Sequence, residues 1–144
     1  MKKGVDFTGV TVVYCCHDGA GNILFARRSQ NCRDEHGRWD IGGGGLEYGD
    51  RVEDTLRKEI AEEYCTNVLD HEFLGYRDVH RGSGSDRTHW IALDFKVLVD
   101  REKVKIGEPH KFDGLDWFRL DALPDPVHSQ LPTFLSLYRD RLIQ

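Results

Sequence analysis

The sequence predicts an α+β fold, one mixed β-sheet packed between helices in a single domain. Three observations predict it. Apolar, β-branched runs such as Gly9–Cys16 (GVTVVYCC) and His89–Val99 (HWIALDFKVLV) read as strands. Between them, Val52, Leu56 and Ile60 recur every fourth residue, the stripe of an amphipathic helix. A second apolar stripe, Leu131, Phe134, Leu135, Tyr138 and Leu142, closes the chain. Strands, one central helix, more strands and a closing helix make a layered arrangement.

In order, Gly9–Cys16 is a buried strand. His17–Asn22 (HDGAGN) is turn chemistry, and Ile23–Arg27 is a second strand, hairpin partner of the first. Ser29–Arg38 is a polar loop without core residues, and Trp39 is assigned to packing. Gly42–Gly45 are expected as a glycine loop that lets backbone approach a ligand, since no Cβ stands in the way. Asp50 is expected to cap the helix, with Glu53 completing a capping box, and the helix to run to about Tyr64. Phe73–Val79 reads as a strand, His80–Arg87 (HRGSGSDR) as a flexible loop and His89–Val99 as a long strand. Asp100–Lys111 is a charged loop, Asp116–Leu120 a short strand and Val127–Ile143 the terminal helix.

The 144 residues suffice for one domain with a core, and 39% hydrophobic with 31% charged residues is the balance of a folded chain. The net charge of −5 argues against general nucleic-acid binding, which wants a basic face. No apolar run is long enough to span a membrane, and the MKKGVDFTGV start has no signal-peptide core. Cys15, Cys16, Cys32 and Cys65 form no C-x-x-C pair and read as free thiols of a reducing cytoplasm. The seven histidines are scattered, and no zinc pattern is expected.

Glu59, Glu62 and Glu63 are spaced i, i+3, i+4 on the central helix, so they crowd one patch. Like charges at this spacing cost roughly 0.2–0.5 kcal/mol per pair. A solvated acidic face is one reading. The other is a hard-cation site, since Mg²⁺ takes oxygen ligands from a few carboxylates plus substrate phosphates. The adjoining glycines favour the second. Lys58 is a candidate partner that steadies Glu59.

The stretch Gly43–Thr66 resembles the signature box of the Nudix hydrolase family, G-x5-E-x7-R-E-U-x-E-E-x-G-U with U apolar. Gly44 falls on the first glycine, Asp50 on the first glutamate, Lys58 on the arginine and Glu59 on the glutamate after it. Ile60 takes the apolar place and Glu62 with Glu63 the paired glutamates, while Cys65 stands on the last glycine and Thr66 on the final apolar position. The core E-U-x-E-E is intact. Lys58 offers a point charge in place of a planar fork, Asp50 is one methylene short, and Cys65 must end the helix without glycine.

The resemblance implies an α/β/α sandwich and Mg²⁺-dependent (or Mn²⁺-dependent) hydrolysis of a nucleoside diphosphate linked to another group. It implies Glu59 as base with Lys58 beside it. The implied metal ligands are Glu59, Glu62, Glu63, the Gly43 carbonyl and a late-loop acid, Glu108 or in reserve Asp113. Arg27, Arg28, Gly44 and Gly45 are candidates for substrate phosphates, with ordinary surface charge the competing reading of the arginines. The window His80–Ser83 lacks the proline and tyrosine marks of two subclasses, which leaves nucleoside triphosphates as the default, releasing NMP and pyrophosphate. A nucleotide-sugar hydrolase and a non-cleaving nucleotide sensor are the alternatives. Trp90, Phe112 or Trp117 offer rings for a base or for the core. The expected partner is a small nucleotide. Oligomeric state, a homodimer included, is left open.

Overall fold

The computed structural model describes residues 1–143. It has seven strands, β1 (Gly9–His17), β2 (Ile23–Arg28), β3 (Trp39–Asp40), β4 (Gly42–Gly45), β5 (Val68–Arg81), β6 (Thr88–Val99) and β7 (Phe112–Phe118). Its two α-helices are α1 (Val52–Tyr64) and α2 (Leu131–Leu142). The strands form one mixed sheet, β3-β2-β1-β6-β5, with β4 also paired to β1 and β7 to β2. β1 and β6 run parallel over nine pairs from Gly9↔Trp90 to His17↔Leu98, and the other pairings are antiparallel.

The period-two alternation of β1 divides the core. Val12, Tyr14 and Cys16 face α1 and pack with Leu56, Ile60 and Tyr64. Cys15, with Val13 at its margin, faces the opposite layer, where Phe134, Leu135 and Tyr138 of α2 pack. Each fully buried Leu, Ile or Phe stabilises the layers by about 1.5–3 kcal/mol. That places one helix on each face, the α/β/α sandwich expected. The four cysteines are free, as expected. The α2 layer also holds a buried ion pair: Asp94 is fully buried and accepts from Arg77 Nε (2.7 Å) and Nη2 (2.9 Å) and from the Tyr138 hydroxyl (2.8 Å). Such a carboxylate is tolerated because every partner is present.

Several expectations need correction. Gly42–Gly45 is no loop but strand β4, paired with β1 from Thr11↔Gly45 to Tyr14↔Gly42. Asp50 does not cap α1: the N-cap is Arg51, without a side-chain bond, because Gly49 (φ 88) turns the chain one residue later. Glu53 and Asp54 in the first turn still suit the positive end of the helix dipole. The hairpin of β5 and β6 absorbs His80 and Arg81, leaving a shorter turn around Gly82 and Gly84. β7 begins at Phe112, where pairing with Arg28 starts, and α2 begins only at Leu131, next to Pro132 in its first turn. At the other end of α1, Cys65 is left-handed (φ 57, ψ 23) and its N–H donates to the Ala61 carbonyl at 3.1 Å. The helix thus closes with a cysteine in the place that favours glycine.

Candidate active site

Four glycines in a strand leave bare backbone between two layers. On the α1 side, Glu59 folds over Gly44, where a Cβ would stand 2.6 Å from Glu59 Cδ. On the other side, a cleft of about 330 Å³ runs along Gly42–Gly45. The glycine strand is therefore a shared wall between the box carboxylates and the cleft.

The three box glutamates differ in environment. Glu62 is exposed, Glu59 is half-buried and Glu63 is buried at 2% exposure. The expected common surface patch therefore spreads from solvent into the core. Glu63 accepts a hydrogen bond from the Tyr14 hydroxyl and lies 3.7 Å from Lys111 Nζ. Burial pushes its pKa up to about 8, with Lys111 opposing. Burial, then the charge of Glu62, raises Glu59 as well. Lys58 pairs with Asp50 at 4.0 Å rather than with Glu59.

Glu108 joins this group through backbone. The Gly107 N–H donates to the Glu63 carbonyl at 2.9 Å, and a Cβ on Gly107 would strike the Glu62 carbonyl at 2.0 Å. Only glycine lets the late loop dock so closely on the end of α1. Glu108 then lies 3.8 Å from Lys111 Nζ, which bridges it to Glu63. Asp113 is elsewhere, bound to Arg27 at 2.7 Å across β2 and β7. The donors are all oxygens, the chemistry that a hard cation takes, but among the described residues no three of these carboxylates bring their oxygens within 4.8 Å of one another, and the Lys111 ammonium lies between Glu63 and Glu108.

Of the two arginines singled out, Arg28 lines the cleft and Arg27 does not. Arg28 Nη2 pairs with Asp34 at 3.0 Å, and the same carboxylate accepts from Arg81 Nη1 at 3.2 Å. Arg77, Arg81, Asp40, His128 and Trp90 also line the cleft. Burial pushes Asp40 up to about 7, and burial lowers the His128 pKa; the pair stands 4.0 Å apart. Phe112 is in the core, and Trp117 lies under the Arg101 guanidinium at 4.7 Å. Sequence reasoning missed Tyr14, Lys111, Arg77 and Arg81. The signal for the last two is the alternation Arg77, Val79, Arg81 on one face of β5, which a strand ending at Val79 leaves incomplete.

The family model for the NUDIX domain matches residues 7–138. The chain belongs to the Nudix hydrolase family. Among relatives of this Nudix chain is nucleoside triphosphatase NudI of Escherichia coli K12, 32% identical over 102 residues, which cover 66% of this chain and 69% of the relative. A MutT NUDIX hydrolase from Burkholderia pseudomallei shares the fold, with TM-score 0.78 and 24% identity over 92% of this chain and 98% of that one. So does the NUDIX domain of Shewanella oneidensis NrtR, solved in complex with ADP ribose, with TM-score 0.70 and 18% identity over 99% and 90%. Among the described residues, no helix is long and apolar enough to cross a membrane.

Proposed function

We propose that this Nudix hydrolase cleaves nucleoside triphosphates to a nucleoside monophosphate and pyrophosphate. The observation that carries the reading is the shared glycine wall: a cleft with Arg28, Arg77 and Arg81 on one side and Glu59 on the other. A triphosphate crossing bare backbone would reach the carboxylates while its nucleoside stays in the cleft. The likeness to a nucleoside triphosphatase supports this substrate class.

Glu59, Glu62, Glu63, Glu108 and the Gly43 carbonyl are the proposed holders of Mg²⁺ or Mn²⁺. When bound, such an ion supplies neutralisation of phosphate charge and a more acidic water. Glu59 is the proposed base, because burial and Glu62 already raise its proton affinity. Tyr14 orients Glu63 from within the core. Lys111 balances Glu63 and Glu108 and must yield when a divalent cation enters. Arg28, together with the bare backbone of Gly44 and Gly45, receives the phosphates. Arg27, tied to Asp113, is the weaker candidate.

The test is pyrophosphate and phosphate release with Mg²⁺ on a panel of nucleoside triphosphates, ADP-ribose and nucleotide sugars, for wild type and Glu62→Gln. The expected result is triphosphate turnover with pyrophosphate as product, largely lost in the variant. Turnover on nucleotide sugars alone would replace the substrate class. The pairing of Lys58 with Asp50 in place of Glu59 favours one other reading, a nucleotide sensor. A folded wild type with no turnover, yet stabilised by nucleotide, would establish it.

A further inference from the structure

The tip of the β5–β6 hairpin carries a second cluster, on the sheet face opposite the cleft. His80 and His89 are direct cross-strand partners, and Asp78 lies two residues before His80 on the same face. The alternate residues Val79, Arg81, Thr88 and Trp90 turn the other way and line the cleft. Directly opposed side chains in an antiparallel pair start only about 4.5–5.5 Å apart at Cβ. Here the two rings stack at 4.1 Å between centroids. His89 Nε2 lies 2.9 Å from Asp78 Oδ1, and one ligand atom from each of the three residues lies within 4.8 Å of the others. Among the described residues, this is the one trio of His, Cys, Asp or Glu gathered so tightly.

We propose that Asp78, His80 and His89 form a binding site for a borderline divalent cation of the Zn²⁺ class, separate from the oxygen-only carboxylate group on α1. Two imidazoles and a carboxylate suit zinc and its neighbours, whereas Mg²⁺ prefers oxygen alone. The contacts of His89 fix what the ring must do to ligate. In the neutral ring, Nε2–H donates to Asp78 and Nδ1 accepts from the Thr8 hydroxyl at 3.3 Å. A cation would bind Nε2 only in the other tautomer, with the ring's single proton on Nδ1; Nδ1–H would then donate to Thr8 Oγ, whose hydroxyl changes from donor to acceptor, so the ring keeps its proton. Zinc-bound histidines commonly hold their other nitrogen in this way. An open groove of about 340 Å³, bounded by Gly4–Thr8 and by His80 and Arg87, gives water access to the remaining coordination positions. The site would pin the N-terminal segment to the hairpin tip, where the His89 N–H already donates to the Gly4 carbonyl at 2.8 Å.

The experiment is calorimetric titration of Zn²⁺ into the full chain with Mg²⁺ in excess, repeated with Co²⁺ to read visible ligand-field bands. Wild type, His80→Asn, His89→Asn, Thr8→Val and Cys32→Ser are compared, each checked for an unchanged circular dichroism spectrum. Expected are one saturable site in wild type and Cys32→Ser, its loss in both histidine variants, and about tenfold weaker binding in Thr8→Val. Absence of saturable Zn²⁺ binding in wild type overturns the proposal. So does retention of the site in either histidine variant, or its loss in Cys32→Ser. None of these readings depends on catalytic turnover.

Discussion

Adding one methyl group at Gly44 separates catalysis from folding in this protein. The Cβ of Gly44→Ala would stand 2.6 Å from Glu59 Cδ and 2.7 Å from Cγ and Oε2, whereas ordinary contact begins near 3.4 Å. Glu59 must therefore withdraw by about 0.8 Å, the difference between 3.4 and 2.6 Å. The obstacle is the end of a flexible, half-buried side chain, so the fold can accommodate it. Gly→Ala at a compatible backbone even stabilises by about 0.4–1 kcal/mol through the unfolded state. A displacement near 1 Å of a reacting group can cost roughly 100-fold in rate, about 2.7 kcal/mol. Gly42→Ala is the contrast. Its Cβ would stand 1.9 Å from Tyr14 Cε2 and 2.6 Å from the Tyr64 hydroxyl, and both rings are buried in the α1 layer. Overpacking of that kind costs about 1–3 kcal/mol or more. The assay pairs Mg²⁺-dependent turnover of the best triphosphate with thermal unfolding. Gly44→Ala should melt like wild type and turn over about 100-fold more slowly, and Gly42→Ala should lose stability. Turnover of Gly44→Ala within about twofold of wild type would refute the assignment of Glu59.

Four further outcomes are expected. Tyr14→Phe keeps the buried ring and removes the donor to Glu63. The Mg²⁺ concentration for half-activation should rise about 10–100-fold, and an unchanged value would mean that Tyr14 does not orient this carboxylate. Asp94→Ala strands the Arg77 guanidinium beside a fully buried site and should cost about 3–5 kcal/mol in urea unfolding. Asp113→Ala, which breaks the exposed pair with Arg27, should cost under about 1 kcal/mol. At Asp18, burial pushes the pKa up, but hydrogen bonds from Asn22, the Ala20 N–H and Arg101 outweigh it and hold the carboxyl at about 2, against an ordinary 3.8. A depressed carboxylate stabilises the fold above its unfolded pKa. Roughly 2 kcal/mol should therefore be lost as pH falls from about 4 to 2, and Asp18→Asn should flatten that part of the melting curve against pH.

Local chemistry makes most of the fold legible in the sequence. The alternation along β1 and β6, the four-residue stripe of α1 and the stripe of α2 each name a buried face, and burial of apolar surface dominates folding. The box glutamates and glycines were visible because one helix and one strand carry them at fixed spacing. What failed was local in appearance and tertiary in cause. The four glycines carry no side-chain pattern, so their pairing with β1 was invisible, and the capping residue shifted because Gly49 set the turn.

The sequence by itself determined the layers, the family box and the oxygen-rich chemistry of α1, since all three depend on spacing within a single element. Only the tertiary structure decided where each carboxylate is placed. It turned Glu63 inward to Tyr14, and it brought Glu108 to α1 through the bare Gly107 while Asp113 went to Arg27. It also gathered Asp78, His80 and His89 across two strands. The physical reason is the same each time. Contacts between residues far apart in the chain depend on register and close backbone approach, and these are fixed by packing of the whole sheet rather than by the pattern of any one segment.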